Sequence, residues 1–117
     1  MNDQKLTKRW LKERRSQRIA MSVSVVVHRP AKYGPLFYES TQTLVINVHG
    51  ALIPLADKVA PKQRLLIQNV DSGEQQECRV VSVESVRMGP PRVAVEFTQP
   101  LPSFWRIAFP PDDWNAS

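Results

Sequence analysis

Three observations predict an all-β, antiparallel domain. Apolar residues recur with period two along several short stretches, turn-forming residues separate those stretches, and no helix-length periodic segment alternates with them. The chain has 117 residues, 42% hydrophobic and 23% charged, which suits one globular core and leaves no room for two. No apolar run approaches the roughly 18 residues of a spanning helix, so no membrane insertion is expected. The polar, basic N-terminus leaves no place for a secretory signal, and the cytoplasm is the expected compartment.

The first strand is read from Ile19 to His28, with Ile19, Met21, Val23, Val25 and Val27 on its dry face. Residues 29–35 contain two prolines and a glycine and break it. A second extended stretch runs from Leu36 to Val48 and a third, short and apolar, from Ala51 to Leu55. Residues 56–63 read as a loop. Arg64–Val70 and Gln76–Ser85 form a hairpin around Asp71, Ser72 and Gly73, where Asp and Gly suit a tight turn. Arg92–Phe97 closes the series, with Val93, Val95 and Phe97 on one face and Ala94 and Glu96 on the other. Six short strands of this kind predict a small antiparallel barrel.

Two flanking segments complete the expected organisation, a basic arm over residues 1–18 and a barrel with a proline-rich tail over 19–117. Asp3 is a candidate N-cap for a short helix, with Leu6 and Trp10 forming one apolar stripe. Six of the ten prolines lie between Pro90 and Pro111, so the tail has room only for a short helical turn around Ser103–Ala108. Phe104, Trp105, Ile107 and Phe109 are then available to cover one end of the barrel.

The net charge of +5 is concentrated in the arm, where seven basic residues stand against two acidic ones; the other 99 residues hold nine of each sign. A neutral body with a basic arm points to an anionic ligand or partner. Enzymatic chemistry has no foothold. The chain has no defensible nucleophile and base order, no glycine-rich phosphate loop among four glycines, and no carboxylate pair beyond Asp112 and Asp113 in the tail. Cys78 is the only cysteine and is read as a small buried strand residue; with His28 and His49 it makes no zinc spacing, so neither a metal nor a cofactor is expected.

Two features carry binding chemistry. Arg14, Arg15 and Arg18 precede the first strand, and guanidinium groups grip phosphates bidentately, stack on bases and address the acceptor edge of guanine. The alternative is a solvated strand entrance. The second feature is TLVINVHGALI, residues 43–53, in which Leu44, Ile46 and Val48 read as inward while Val45, Asn47 and His49 read as outward, before Gly50 turns the chain. Asn47 and His49 then offer hydrogen bonds on the outer wall, or serve as a turn former and an exposed strand end.

Arg14 and Arg18 as RxxxR, Gly50 and Ala51 ending a second motif, and the strand RVAVEF together resemble the PilZ domain family over Arg14–Pro102. The second motif here reads VxNxxG from Val45 to Gly50. The resemblance implies a six-stranded β-barrel that binds cyclic di-GMP and signals to an unidentified effector protein. In that pose Arg14 and Arg18, aided by Arg15, clasp the nucleotide, Asn47 contacts a base and Gly50 lets the backbone pass close by. The arm, with Leu6 and Trp10, is the expected output. Two other readings stand beside it: a degenerate PilZ domain serving only as an interaction module, and a small barrel binding single-stranded nucleic acid. The second is disfavoured because Trp10 is the only aromatic in the basic arm.

Overall fold

The computed structural model describes residues 17–34, 37–99, 101 and 103–107. It is all-β, and the sheet has seven strands rather than the expected six: β1 (Ser24–His28), β2 (Tyr38–Gln42), β3 (Val45–Asn47), β4 (Gly50–Pro54), β5 (Arg64–Asn69), β6 (Gln75–Glu84) and β7 (Arg92–Phe97). A short 3-10 helix, Ala31–Tyr33, sits in the β1–β2 connection. Every strand pair is antiparallel, in the order β2-β1-β5-β6-β7-β4-β3. The sheet curls into a partial barrel whose two ends meet where Ile19, just ahead of β1, bridges Ile46 of β3.

The period-two reading explains the interior. Val23, Val25 and Val27 are buried, as are Leu65 and Ile67 of β5, Cys78 and Val80 of β6, and Val93, Val95 and Phe97 of β7. Ile19 and Met21 pack against this core from its edge. Burial in the apolar interior, with a smaller effect from nearby Glu77, pushes the Cys78 thiol up to about 12, so it stays protonated at neutral pH.

The seventh strand arises at Thr43, which splits the expected long second strand in two. Thr43 is buried; its Oγ1 accepts a hydrogen bond from the Val23 N–H (2.9 Å) and donates one to the Met21 carbonyl (2.7 Å). A side chain thereby replaces part of the backbone ladder, and the chain turns a corner there. β2 pairs with β1, whereas Leu44 N already bonds Leu52 O of β4 at 2.8 Å. This corner breaks the alternation, leaving Leu44 39% exposed while Ile46 and Val48 remain buried. A second irregularity, between Val80 and Ser82, lets the long β6 bend while it pairs with both β5 and β7.

One end of the curled sheet is plugged. Phe97, Phe104 and Trp105 are buried and pack against one another, edge-to-face at 5.1 Å for Phe97–Phe104 and 4.9 Å for Phe104–Trp105. The expected helical turn is instead a pair of tight turns, with Phe104 N bonded to Leu101 O and Arg106 N to Ser103 O. Asn69 Nδ2 donates to Phe104 O at 2.8 Å, and Arg106 Nε donates to Glu74 at 3.0 Å, fastening the plug to the β5–β6 hairpin. Ile107 is half-buried against the core. Phe109 and the basic arm through Ser16 lie outside the described residues, and with them Arg14 and Arg15.

Candidate functional site

The seam brings Arg18, the last residue of the first motif, to the second motif. Because Ile19 pairs antiparallel with Ile46, the same register places Arg18 alongside Asn47, at the mouth of the β3–β4 turn. Ladder neighbours then continue one row across the sheet: Asn47 faces Gly50, Gly50 faces Glu96, Glu96 faces Arg79 and Arg79 faces Arg64. At the usual strand spacing, Arg18 and Glu96 stand about 14 Å apart across three steps of this row.

The turn itself is rigidly built. Asn47 Oδ1 accepts the His49 N–H at 2.9 Å, a side-chain turn that explains an Asn at this position. Its three carbonyls accept from β7 and the segment after it: Asn47 O accepts the Trp105 indole N–H (2.8 Å), Val48 O accepts Leu101 N–H (3.2 Å) and His49 O accepts Phe97 N–H at the end of β7 (2.7 Å). Asn47 is therefore only 4% exposed, and the outward, solvent-facing Asn expected from alternation is corrected. Alternation failed here because β3 is three residues long and its last residue already belongs to the turn. His49 is half-buried.

Gly50 is required by close approach of strands. A Cβ built on it would lie 2.0 Å from the Val95 carbonyl oxygen and 3.0 Å from its carbon, both backbone atoms of β7. The close passage expected against a ligand is made first against the protein's own chain. Gly50 is itself buried, and the place of its missing side chain is taken by β7.

Further along the row stand groups that the sequence motifs did not single out. Arg79 Nη2 donates to Glu96 Oε1 at 3.0 Å and Arg64 Nη1 donates to Glu77 Oε2 at 3.3 Å. With Phe97 and Thr98, Arg64, Arg79 and Glu96 line a polar hollow of about 180 Å³. The outward phase of Arg79 and Glu96 is legible from alternation along their own strands, but their alignment with Gly50 depends on strand order, which no local signal carries.

A search of the solved structures finds a likeness to the Bacillus subtilis inhibitor of motility (MotI/DgrA). The TM-score is 0.53 at 16% identity, over 76% of this chain and 44% of that one. The likeness is one of fold, and this chain spans less than half the length of its neighbour. No family model and no curated protein matches the chain. Among the described residues no group of His, Cys, Asp and Glu is arranged to hold a metal ion, and no helix is long and apolar enough to cross a membrane.

Proposed function

We propose that this chain is a PilZ-type receptor module that binds cyclic di-GMP and passes that signal to a separate effector protein, without catalysis. The observation that supports it is the position of Arg18, which the Ile19–Ile46 bridge sets beside the Asn47–Gly50 turn. Arg18, with Arg14 and Arg15 behind it, supplies phosphate and guanine-face contacts; the His49 and Gly50 region stands beside it. Asn47 acts at the rim by holding the turn, and through whatever donor capacity its amide keeps. A fold neighbour that inhibits motility is compatible with a regulatory adaptor of this kind acting in the cytoplasm.

A second reading is favoured by one specific observation. The Asn47 carboxamide oxygen is engaged inside the turn and Val45 carries no polar atom, which fits a PilZ-like module that has lost the nucleotide and only binds a protein partner. Titration calorimetry separates the two, using cyclic di-GMP with GMP and a linear dinucleotide as controls. Saturable binding of the cyclic dinucleotide alone supports the receptor reading; no binding supports the interaction module. Binding of any oligonucleotide with steep salt dependence supports the nucleic-acid barrel. If the receptor reading holds, Arg14→Ala and Arg18→Ala each weaken binding at least about tenfold with little change in Tm, because a charge-assisted contact is worth about 1.5 to 3 kcal/mol. Val45→Asp adds an acceptor on the half-buried outer side of β3 and tightens binding by roughly tenfold if the ligand lies on this wall.

A further inference from the structure

We infer that the end of the barrel opposite Arg18 is a second interaction surface, one that rests on an anionic lipid membrane without spanning it. Strand directions define that end. Because every pair is antiparallel, the connections β1–β2 (29–37), β4–β5 (55–63) and β6–β7 (85–91) all lie there, while the turns 48–49 and 70–74 lie at the other, with the aromatic plug. The surface shares no residue with the Arg18–Gly50 region, so it stands whether or not the chain binds a nucleotide.

This topology polarises a body whose charges cancel in the sequence. The three connections hold Arg29, Lys32, Lys58, Lys62 and Arg87 against one carboxylate, Asp57. The strand ends beside them add Glu39, Glu84 and Arg92, which leaves six cations against three carboxylates. Both Glu39 oxygens accept backbone N–H groups, from Ala56 at 2.6 Å and Asp57 at 3.0 Å. Elsewhere among the described residues the charges balance: Arg64 with Glu77 and Arg79 with Glu96 on the wall, and Arg18 and Arg106 against Asp71 and Glu74 at the plugged end. Lys32, Lys58, Lys62, Arg87 and Arg92 are exposed and form no ion pair among the described residues.

Apolar groups gather at the same end. Of the five exposed large hydrophobic side chains among the described residues, Tyr33, Tyr38 and Met88 lie there, and Met88, in the β6–β7 connection, is 88% exposed. Tyrosine settles at the headgroup level of a bilayer, a flexible thioether reaches the acyl boundary, and Lys and Arg are drawn to anionic headgroups. Single-stranded nucleic acid, the other polyanion to weigh, needs open ring faces on which bases stack. Here Lys32 Nζ lies over the Tyr33 ring at 5.1 Å and His28 stacks on Tyr38 at 5.2 Å, so each ring has one face covered. Met88 offers no ring. The cations also sit on three separate connections rather than along one groove, which suits contact with a plane.

Site-specific fluorescence on the full chain tests both binding and orientation. An environment-sensitive thiol dye is placed at Met88→Cys and, at the plugged end, at Val70→Cys, both exposed positions; Cys78 is enclosed and stays protonated, so it takes no label. Phosphatidylcholine vesicles with about 30% phosphatidylserine are compared with phosphatidylcholine alone and with a single-stranded oligonucleotide. The expected result is a blue shift at position 88 but not at 70, on the anionic vesicles only, reversed by high salt. Lys58→Glu combined with Arg87→Glu should weaken vesicle partition at least about tenfold with Tm unchanged, and Arg14→Glu combined with Arg15→Glu in the arm should weaken it less. A shift at 70 without one at 88 overturns the inference, because the arm end then meets the lipid. Unchanged partition of the Lys58 and Arg87 variant overturns it too, as does equal binding to neutral vesicles. A shift at 88 on the oligonucleotide and none on vesicles replaces the membrane with nucleic acid.

Discussion

The β3–β4 turn and the β5–β6 turn are built from the same parts and use them differently. In each, an Asn at the strand end folds its side chain back onto a backbone N–H two residues on, Asn47 to His49 at 2.9 Å and Asn69 to Asp71 at 3.0 Å. In each, the C-terminal plug reaches the same Asn, through Trp105 Nε1 on Asn47 O and through Asn69 Nδ2 on Phe104 O. Each turn also holds a glycine, and here they part. Gly73 has φ +77 and open space where a Cβ would sit, so it serves conformation. Gly50 carries no positive φ and has the β7 backbone 2.0 Å from that position, so it serves proximity. A glycine in a sequence does not disclose which of the two it supplies, and only the second kind ties a turn to the wall behind it.

Substitution at the two glycines gives the sharpest contrast. Gly50→Ala should cost about 3 kcal/mol or more, because the obstacle is backbone on a central strand and cannot rotate away. Thermal melting should show a Tm drop of more than about 10 °C. An effect as small as that of Gly73→Ala would remove the distinction. Next in size is Asn69→Ala, which strands the buried Phe104 carbonyl and the Asp71 N–H together and should cost about 2 to 3 kcal/mol by denaturant titration. Trp105→Phe keeps the aromatic contact with Phe97 and removes only the indole donor to Asn47 O. A loss of about 1 to 2 kcal/mol is expected, with faster amide exchange in the 47–50 turn than in the 69–74 turn. Equal acceleration in both turns would mean that the plug acts as one unit. The smallest effect is expected from Gly73→Ala, about 1 kcal/mol for forcing a Cβ into the left-handed region with nothing to strike.

Strand positions and inward faces were legible along most of the chain, because period-two burial is a local property that each strand carries in its own residues. β7 matches its expected bounds, and β4 and β6 lie one residue from theirs. The stretch around Thr43 was not legible. A threonine whose hydroxyl stands in for a ladder bond looks, in sequence, like any other polar strand residue, so one long strand was expected where β2 and β3 stand. The same corner reversed the expected facing of Leu44, and the brevity of β3 buried Asn47. At the candidate site, arginine spacing and the glycine were visible locally. The row joining Gly50 to Glu96, Arg79 and Arg64 was not, because it is a product of non-local strand order.

The single thiol offers a clock. Cys78 on β6 is fully enclosed, and its proton is held far above the usual thiol range. A sulfhydryl reagent therefore meets no nucleophile on the native protein at about pH 8, near the ordinary thiol range, and modification has to wait for the β5–β6–β7 wall to part. The rate of labelling, relative to that of an unstructured thiol, counts how often the wall opens. If the receptor reading holds, a cyclic dinucleotide bound on the outer face slows the count, and its occupancy is read out by a sulfur atom on the inner one, without any added label.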